Sequence, residues 1–477
     1  MLYKLAKNIF KIILLIGVCL DASEISFMDA WNRVVEHSYA LKAKRENLNS
    51  AKFKQIAMRD LYWPDVSLSA IYTHLDEPIS SGLSDLGVDG KSLEPIVKGV
   101  AKISSDAAYA EAIKGGKNQA QASMIASKTF QGVANSFINM QNSSIKLLKQ
   151  DTFLSSIKAI WPIFTGGRIE AAQIVASGEV EEAYAILQMA KQAQFEDLAR
   201  IYFSTALAKE VAKTKKEVAN SLKKHYEHSQ KLYSHGQIPK VETLLAKASY
   251  DKAAVDAKKA QSDYEIAQIA LSNLLHTKGV AKTKTNLFIN ENLPNLDSFL
   301  QKTLSSYPGL ELLRAKKTQT QGLIKANKGL YYPEVFLFGN YNLYHNDSLL
   351  LKNSPDWLVG VGVNIPLISS KGRSGKLDMA YSKSLQISHM QEDARRNLSV
   401  LVKKTYKQTK QALEEFEGLN SSVELGHENV RLRKKSFMQG MATSLDVIDA
   451  QLFLQGVQTQ RLVASYQYIL SYLSKLV

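Results

Sequence analysis

The chain has 477 residues, 45% hydrophobic and 22% charged, with a formal net charge of +15 and one cysteine. A single cysteine excludes a disulfide-stapled scaffold. The basic balance invites a nucleic-acid partner, but the lysines spread over helical faces, as in KEVAKTKKEVANSLKK from Lys209, with little aromatic interleaving, which fits a solvated coiled-coil face.

Residues 1–22 set Lys4, Lys7 and Lys11 before an apolar run from Ile12 to Leu20 that ends in Asp21, Ala22 and Ser23. This is the layout of a secretory signal peptide cut after Ala22, since a membrane-spanning helix needs about 20 apolar residues. Cleavage would remove Cys19 and lower the formal charge from +15 to +13 by loss of three lysines and Asp21. A lipid anchor at Cys19 is disfavoured by Val18 before it, where a small residue is wanted. Beyond the signal no stretch of 18 or more apolar residues remains, so a membrane would have to be met with strands.

Two structural repeats are expected, 23–290 and 291–477. Each begins with a helix, HSYALKAKRENLNSAKFKQIAMRD in the first and SSYPGLELLRAKKTQTQGLIKANKG in the second. A strand follows, 62–75 and then 331–345, where LYWPDVSLSAIY matches LYYPEVFLFGNY at a separation of 269 between Pro64 and Pro333. The second strand of each pair is placed at 153–164 and 356–367. In the latter, Trp357, Val359, Val361, Val363 and Ile365 alternate with Leu358, Gly360, Gly362 and Asn364, a period of two with an apolar and a small or polar face. That pattern suits lipid on one side and water on the other, as well as a half-buried strand of a soluble sheet. The first strand pair is joined by a long loop, 77–151, rich in Gly, Ser, Asn and Ala and without a strand period.

After each strand pair the chain is proline-free and rich in helix formers, over 163–238, 240–293 and 367–477. Tyr184, Leu187, Ala190, Phe195, Leu198 and Tyr202 follow a helical stripe. LYSHGQIPKVETLLAKASY matches SFMQGMATSLDVIDAQLFL at a separation of 204, which is also the separation of Pro162 and Pro366. The distance from strand-ending proline to turn glycine is therefore 74 residues in both halves, to tips near 236 and 440. A rod of about 110 Å in each half is implied at roughly 1.5 Å per residue. The chain is a tandem duplication giving 4 strands and long coiled-coil helices. Four strands cannot close a barrel, so several copies must share one.

Four twice-recurring features carry a resemblance: the strand entry (Trp63, Pro64; Tyr332, Pro333), the strand-to-helix junction (Pro162, Phe164, Gly166, Gly167, Arg168; more weakly Ser369, Ser370, Gly372), the turn glycines Gly236 and Gly440, and the run after them (Glu242; Asp446, Val447, Ile448, Asp449). Over nearly all of residues 24–477 the chain resembles the TolC-type outer-membrane efflux and secretion duct family, the outer membrane factors. The resemblance implies a mainly α fold with a membrane β-barrel: a homotrimer with one 12-stranded barrel in the outer membrane of a Gram-negative bacterium and an α-helical tunnel through the periplasm. Its implied partners are outer-membrane lipid, a periplasmic adaptor (membrane fusion) protein and an inner-membrane transporter of the RND type, with no nucleic acid. It implies no cofactor.

By the same resemblance, Asp446 and Asp449 form the periplasmic gate, two acidic rings in a trimer that would favour cations. Gly236, Gln237, Gly440 and Met441 are the adaptor-docking tips, with the family's V-G-L replaced by His235-Gly236-Gln237 and Gln439-Gly440-Met441. The clamp that holds the family's tip closed falls on Glu242, Phe437 and Ala442, so the acid is kept while the tyrosine hydroxyl and the cation are missing. His225, His228 and His235 have no cysteine and no clear carboxylate partner for a metal, and no G-x-S-x-G, P-loop or H-E-x-x-H occurs, so no enzyme is expected. The implied function is passive conduction of drugs or other small toxic compounds in a tripartite pump. Type I protein secretion or heavy-metal efflux is the alternative within the class, and an exported coiled-coil scaffold or adhesin the alternative outside it.

Overall fold

The computed structural model describes residues 24–76, 79–81, 145–290, 292–345 and 355–474. The signal peptide with Cys19, and most of the 77–151 loop, lie outside the described residues. The helices are α1 (Phe27–His37), α2 (Tyr39–Asp60), α3 (Arg168–Ser234), α4 (Lys240–Leu274), α5 (Leu296–Ser306), α6 (Pro308–Gly329), α7 (Arg373–Gly418), α8 (Asn420–Met438) and α9 (Ser444–Leu473). The strands are β1 (Glu24–Ile25), β2 (Asp65–His74), β3 (Ile79–Ser81), β4 (Ile145–Leu148), β5 (Asp151–Phe164), β6 (Lys282–Thr283), β7 (Glu334–His345) and β8 (Trp357–Asn364). The chain divides into two compact units, 1–49 with 181–314 and 389–477, and 50–180 with 315–388; the boundary falls inside α2, α3, α6 and α7.

The sheet-bearing unit holds β2, β5, β7 and β8 in that order, all antiparallel. The strands start later than the 62 and 331 expected from sequence, because Trp63 and Tyr332 belong to the turn before Pro64 and Pro333. β8 ends at Asn364 rather than 367, since Pro366 cannot donate to a ladder. The loop expectation for 77–151 also needs correction: β3 pairs with β4 and β5 begins at Asp151, so the hairpin continues into that stretch at both ends. Registration sets Val66, Ala159, Gly339 and Val359 in one row and Leu68, Ile157, Tyr341 and Trp357 in another. These rows share one face, where Leu68 is 70% and Val359 73% exposed. The opposite face carries the row Ser67, Lys158, Asn340 and Leu358, with Phe336 and Phe338 lying over Gly362 and Gly360.

Two arginines fasten the strands to the helices. Arg168 pairs with Glu334 and donates from Nε to the Thr165 carbonyl at 3.1 Å, after Gly166 and Gly167 at φ +65° and +77°. Arg373 donates to the carbonyls of Leu330, Pro366 and Leu367 and stacks on Tyr331, after Gly372 at φ +65°. The second arginine comes 205 residues after the first, one more than the proline spacing. The two helical runs are nonetheless close in length: α3 covers 67 residues, and its counterpart starts one residue late and continues as α7 and α8, of 46 and 19 residues, through Leu419, which keeps helical backbone angles and accepts from the Val423 amide at 3.0 Å.

Where α3 meets α6, a Cβ on Gly322 would stand 2.9 Å from the Ala171 carbonyl oxygen and 2.7 Å from Val175 Cγ2. The backbone cannot yield to that contact without separating the helices. Gly322→Val is expected to destabilise this unit by about 2 kcal/mol, as overpacking does; thermal denaturation by circular dichroism would show a lowered midpoint, and an unchanged one would refute the close crossing.

The other unit is built on Tyr202. Its ring lies edge-on to Phe27 at 5.4 Å and beside Phe203 at 5.2 Å, in a core shared with Leu198, Leu271, Tyr468 and Ile469. Its hydroxyl donates to the Ile25 carbonyl at 2.7 Å and accepts from the amides of Lys284 at 3.1 Å and Thr285 at 2.9 Å. Those bonds hold the two-residue parallel pair of β1 and β6 against α3.

Candidate functional site

The two helical turns are built alike. After α3, the Gly236 amide donates to the Tyr233 carbonyl and the Gln237 amide to that of Leu232, both at 2.9 Å. After α8, Gly440 donates to Phe437 at 3.0 Å and Met441 to Ser436 at 2.9 Å. Gly236 and Gly440 lie at φ +71° and +72°, the left-handed conformation that closes a helix C-terminus and that glycine adopts without a Cβ clash. Gln237 is exposed and Met441 is 71% exposed, so the tips present side chains outward.

The helices leaving the turns start differently. Thr443 caps α9: its hydroxyl accepts from the Asp446 amide, while Asp446 accepts in return from the Thr443 amide at 2.9 Å and hydroxyl at 2.7 Å. The same repeat position in the first half is Pro239, which has no side-chain cap bond to offer α4. Glu242, the counterpart of Asp446, has no hydroxyl partner there and reaches the other hairpin, where its Oε2 accepts from the buried Ser444 amide at 2.7 Å. Its carboxylate thereby satisfies one of the free amides at the start of α9.

Asp446 also pairs with Arg433 of α8 at 3.1 Å. The hydrogen bonds from Thr443, and then Arg433, hold its carboxyl below the usual range, so its charge persists to lower pH. Asp449 stands exposed one turn further along α9. Arg433, thirteen residues before Asp446 on the neighbouring helix, pairs with that acid within its own hairpin and not with Glu242, whose partner is the Ser444 amide. Phe437 does not reach Glu242 by a hydroxyl; it is 3% exposed and packs edge-on to His225 with ring centroids 4.5 Å apart. His225 is buried beneath that contact, and among the described residues no group of three or more His, Cys, Asp or Glu is placed to hold a metal. Sequence reasoning missed Arg433 and Ser444, which carry no local signal because their partners lie across a turn or on the other hairpin.

An antiparallel sheet with one exposed apolar face, followed in each half of the chain by a helical hairpin, is the class of architecture that these residues define. Among the described residues no helix is long and apolar enough to cross a membrane. Residues 114–276 and 299–474 match the outer membrane efflux protein family, more than half of the chain, and the chain belongs to that family. It is an efflux-channel protein and not an enzyme. No curated protein matches it. Among solved structures it is similar to the outer membrane protein VceC from Vibrio cholerae, at 14% identity and TM-score 0.68 over 94% of this chain and 95% of that one. It is similar also to the open state of the Neisseria gonorrhoeae MtrE outer membrane channel, at 15% identity, TM-score 0.67 and 94% and 87% coverage. The Campylobacter jejuni CmeC outer membrane channel aligns at 12% identity and TM-score 0.65, with 94% and 84% coverage.

Proposed function

We propose that three copies of this chain form an exit duct, with one 12-stranded barrel in the outer membrane of a Gram-negative cell and a helical tunnel in the periplasm. The observation that carries this reading is the four-stranded sheet, whose apolar side is exposed and whose outer strands β2 and β8 each have one edge without a partner strand among the described residues. In lipid such edges must be closed by neighbouring copies. Trp161 and Trp63 at one end of the sheet, and Tyr72 toward the other, suit the interfacial girdles of a membrane barrel.

The duct is passive and serves a tripartite pump, passing drugs or other small toxic compounds from an inner-membrane transporter of the RND type. Gln237 and Met441, beside Gly236 and Gly440, dock a periplasmic adaptor protein. Asp446 and Asp449 make the gate, supported by their place at the start of α9 and by the charge that Thr443 and Arg433 preserve on Asp446. In planar bilayers, the wild-type protein should give small cation-selective steps. The Asp446→Ala, Asp449→Ala double variant should give larger steps with weaker selectivity; identical traces would remove the pair from the gate, and silence from both folded proteins would favour an exported scaffold.

A further inference from the structure

A buried histidine sits where α3 meets α8. His225 is 5% exposed and its Nε2 has no hydrogen-bond partner. One turn earlier, Ser221 accepts a 2.5 Å hydrogen bond from Lys434 Nζ, so the imidazole and an ammonium share one helix contact. The charged and titratable groups that face His225 are Lys434 from α8, Glu242 from α4 and His228 from α3 itself. Burial first, and then Lys434, keep the ring neutral with its pKa lowered to about 4, while Glu242 pulls the other way and is outweighed. Lys434 is itself pushed down by burial and by Lys224. This contact has little capacity for another positive charge.

The arrangement belongs to one repeat position only. Phe437, which covers the ring, corresponds to Tyr233 in the first half, and Tyr233 is 44% exposed. Residue Asn429 stands where a second histidine would be.

We propose that His225 is a proton-operated release for the contact between the two tip hairpins, held while the imidazole is neutral and let go when it takes up a proton. As a statement about opening, this rests on the tip being the gated end of a duct. The sign follows from linkage. With His225 freed, its pKa returns to the ordinary 6.5, against about 4 when packed. Above 6.5 neither state binds a proton and pH has no effect. Between 6.5 and about 4 the released state gains up to about tenfold per pH unit, and below that the effect levels off.

The test uses the full-length protein with two readouts. Hydrogen exchange at residues 430–440, corrected for intrinsic pH dependence, follows the contact itself; single-channel open probability follows the duct. Between pH 7 and pH 5 both should rise by about twentyfold in the wild type. His225→Phe keeps a ring and cannot protonate, so it should be flat; if it misfolds, His225→Asn, the residue of the other repeat, replaces it. Flat wild-type exchange, or acid loosening that persists without the imidazole, overturns the proposal. Wild-type-only loosening with no channels at any pH upholds the release and overturns the duct.

Discussion

Tyr202→Ala is expected to lower the unfolding free energy by about 5 kcal/mol, the upper part of the range for a large aromatic core truncation. Two losses combine. The ring leaves a void among Phe27, Phe203 and Leu198, and the hydroxyl abandons the Thr285 amide, while the Lys284 amide retains the Ile25 carbonyl at 3.0 Å. Tyr202→Phe separates them: it keeps the packing and should cost about 2 kcal/mol, the scale of one buried group left unpaired. Denaturant titration of both variants decides the matter. Equal losses would mean that the hydroxyl carries the whole effect, and a loss below about 1 kcal/mol for either would show that β1 and β6 are held by something other than this side chain.

Glu242→Ala is expected to raise the open fraction of the tip about tenfold or more, since a hydrogen bond to a charged group contributes about 1.5–3 kcal/mol. Its carboxylate is the acceptor for the buried Ser444 amide, and the Ser444 hydroxyl has no partner that could replace it. Glu242→Gln keeps an acceptor without the charge and should fall between wild type and alanine. Bilayer recordings give the open fraction, and exchange at the Ser444 amide gives the local effect. An alanine variant that exchanges faster at Ser444 yet conducts like wild type would make the bond structural only.

The fold was legible where pattern is periodic or punctuated. Pro64, Pro162, Pro333 and Pro366 mark the strands, and Gly236 and Gly440 close helices with left-handed backbone. The alternation of Trp357, Val359, Val361 and Val363 is the outward row of β8. Strict counting misled in one place. Equal proline spacing concealed the one-residue delay at Arg373, because a helix absorbs a shift by rotating its face and leaves no gap in composition. Tyr184, on the same helical stripe as Leu187 and Leu198, is 54% exposed in the single chain, since apolar spacing names a face without naming what covers it. The site was half visible. Acids at the third position of a helix can be read from sequence, but whether each caps its own helix or its neighbour's depends on Pro239 against Thr443, and the answer appears only in three dimensions.

The open edges at β2 and β8 have a genetic consequence. If three copies share one barrel, as proposed, each chain's fitness depends on the two beside it, so a variant that folds but spoils an edge should act dominantly. Made in equal amounts with the intact protein, it would leave only about one assembly in eight free of a defective member, by random mixing in a ring of three. A variant that fails before assembly, such as Tyr202→Ala, should instead be recessive.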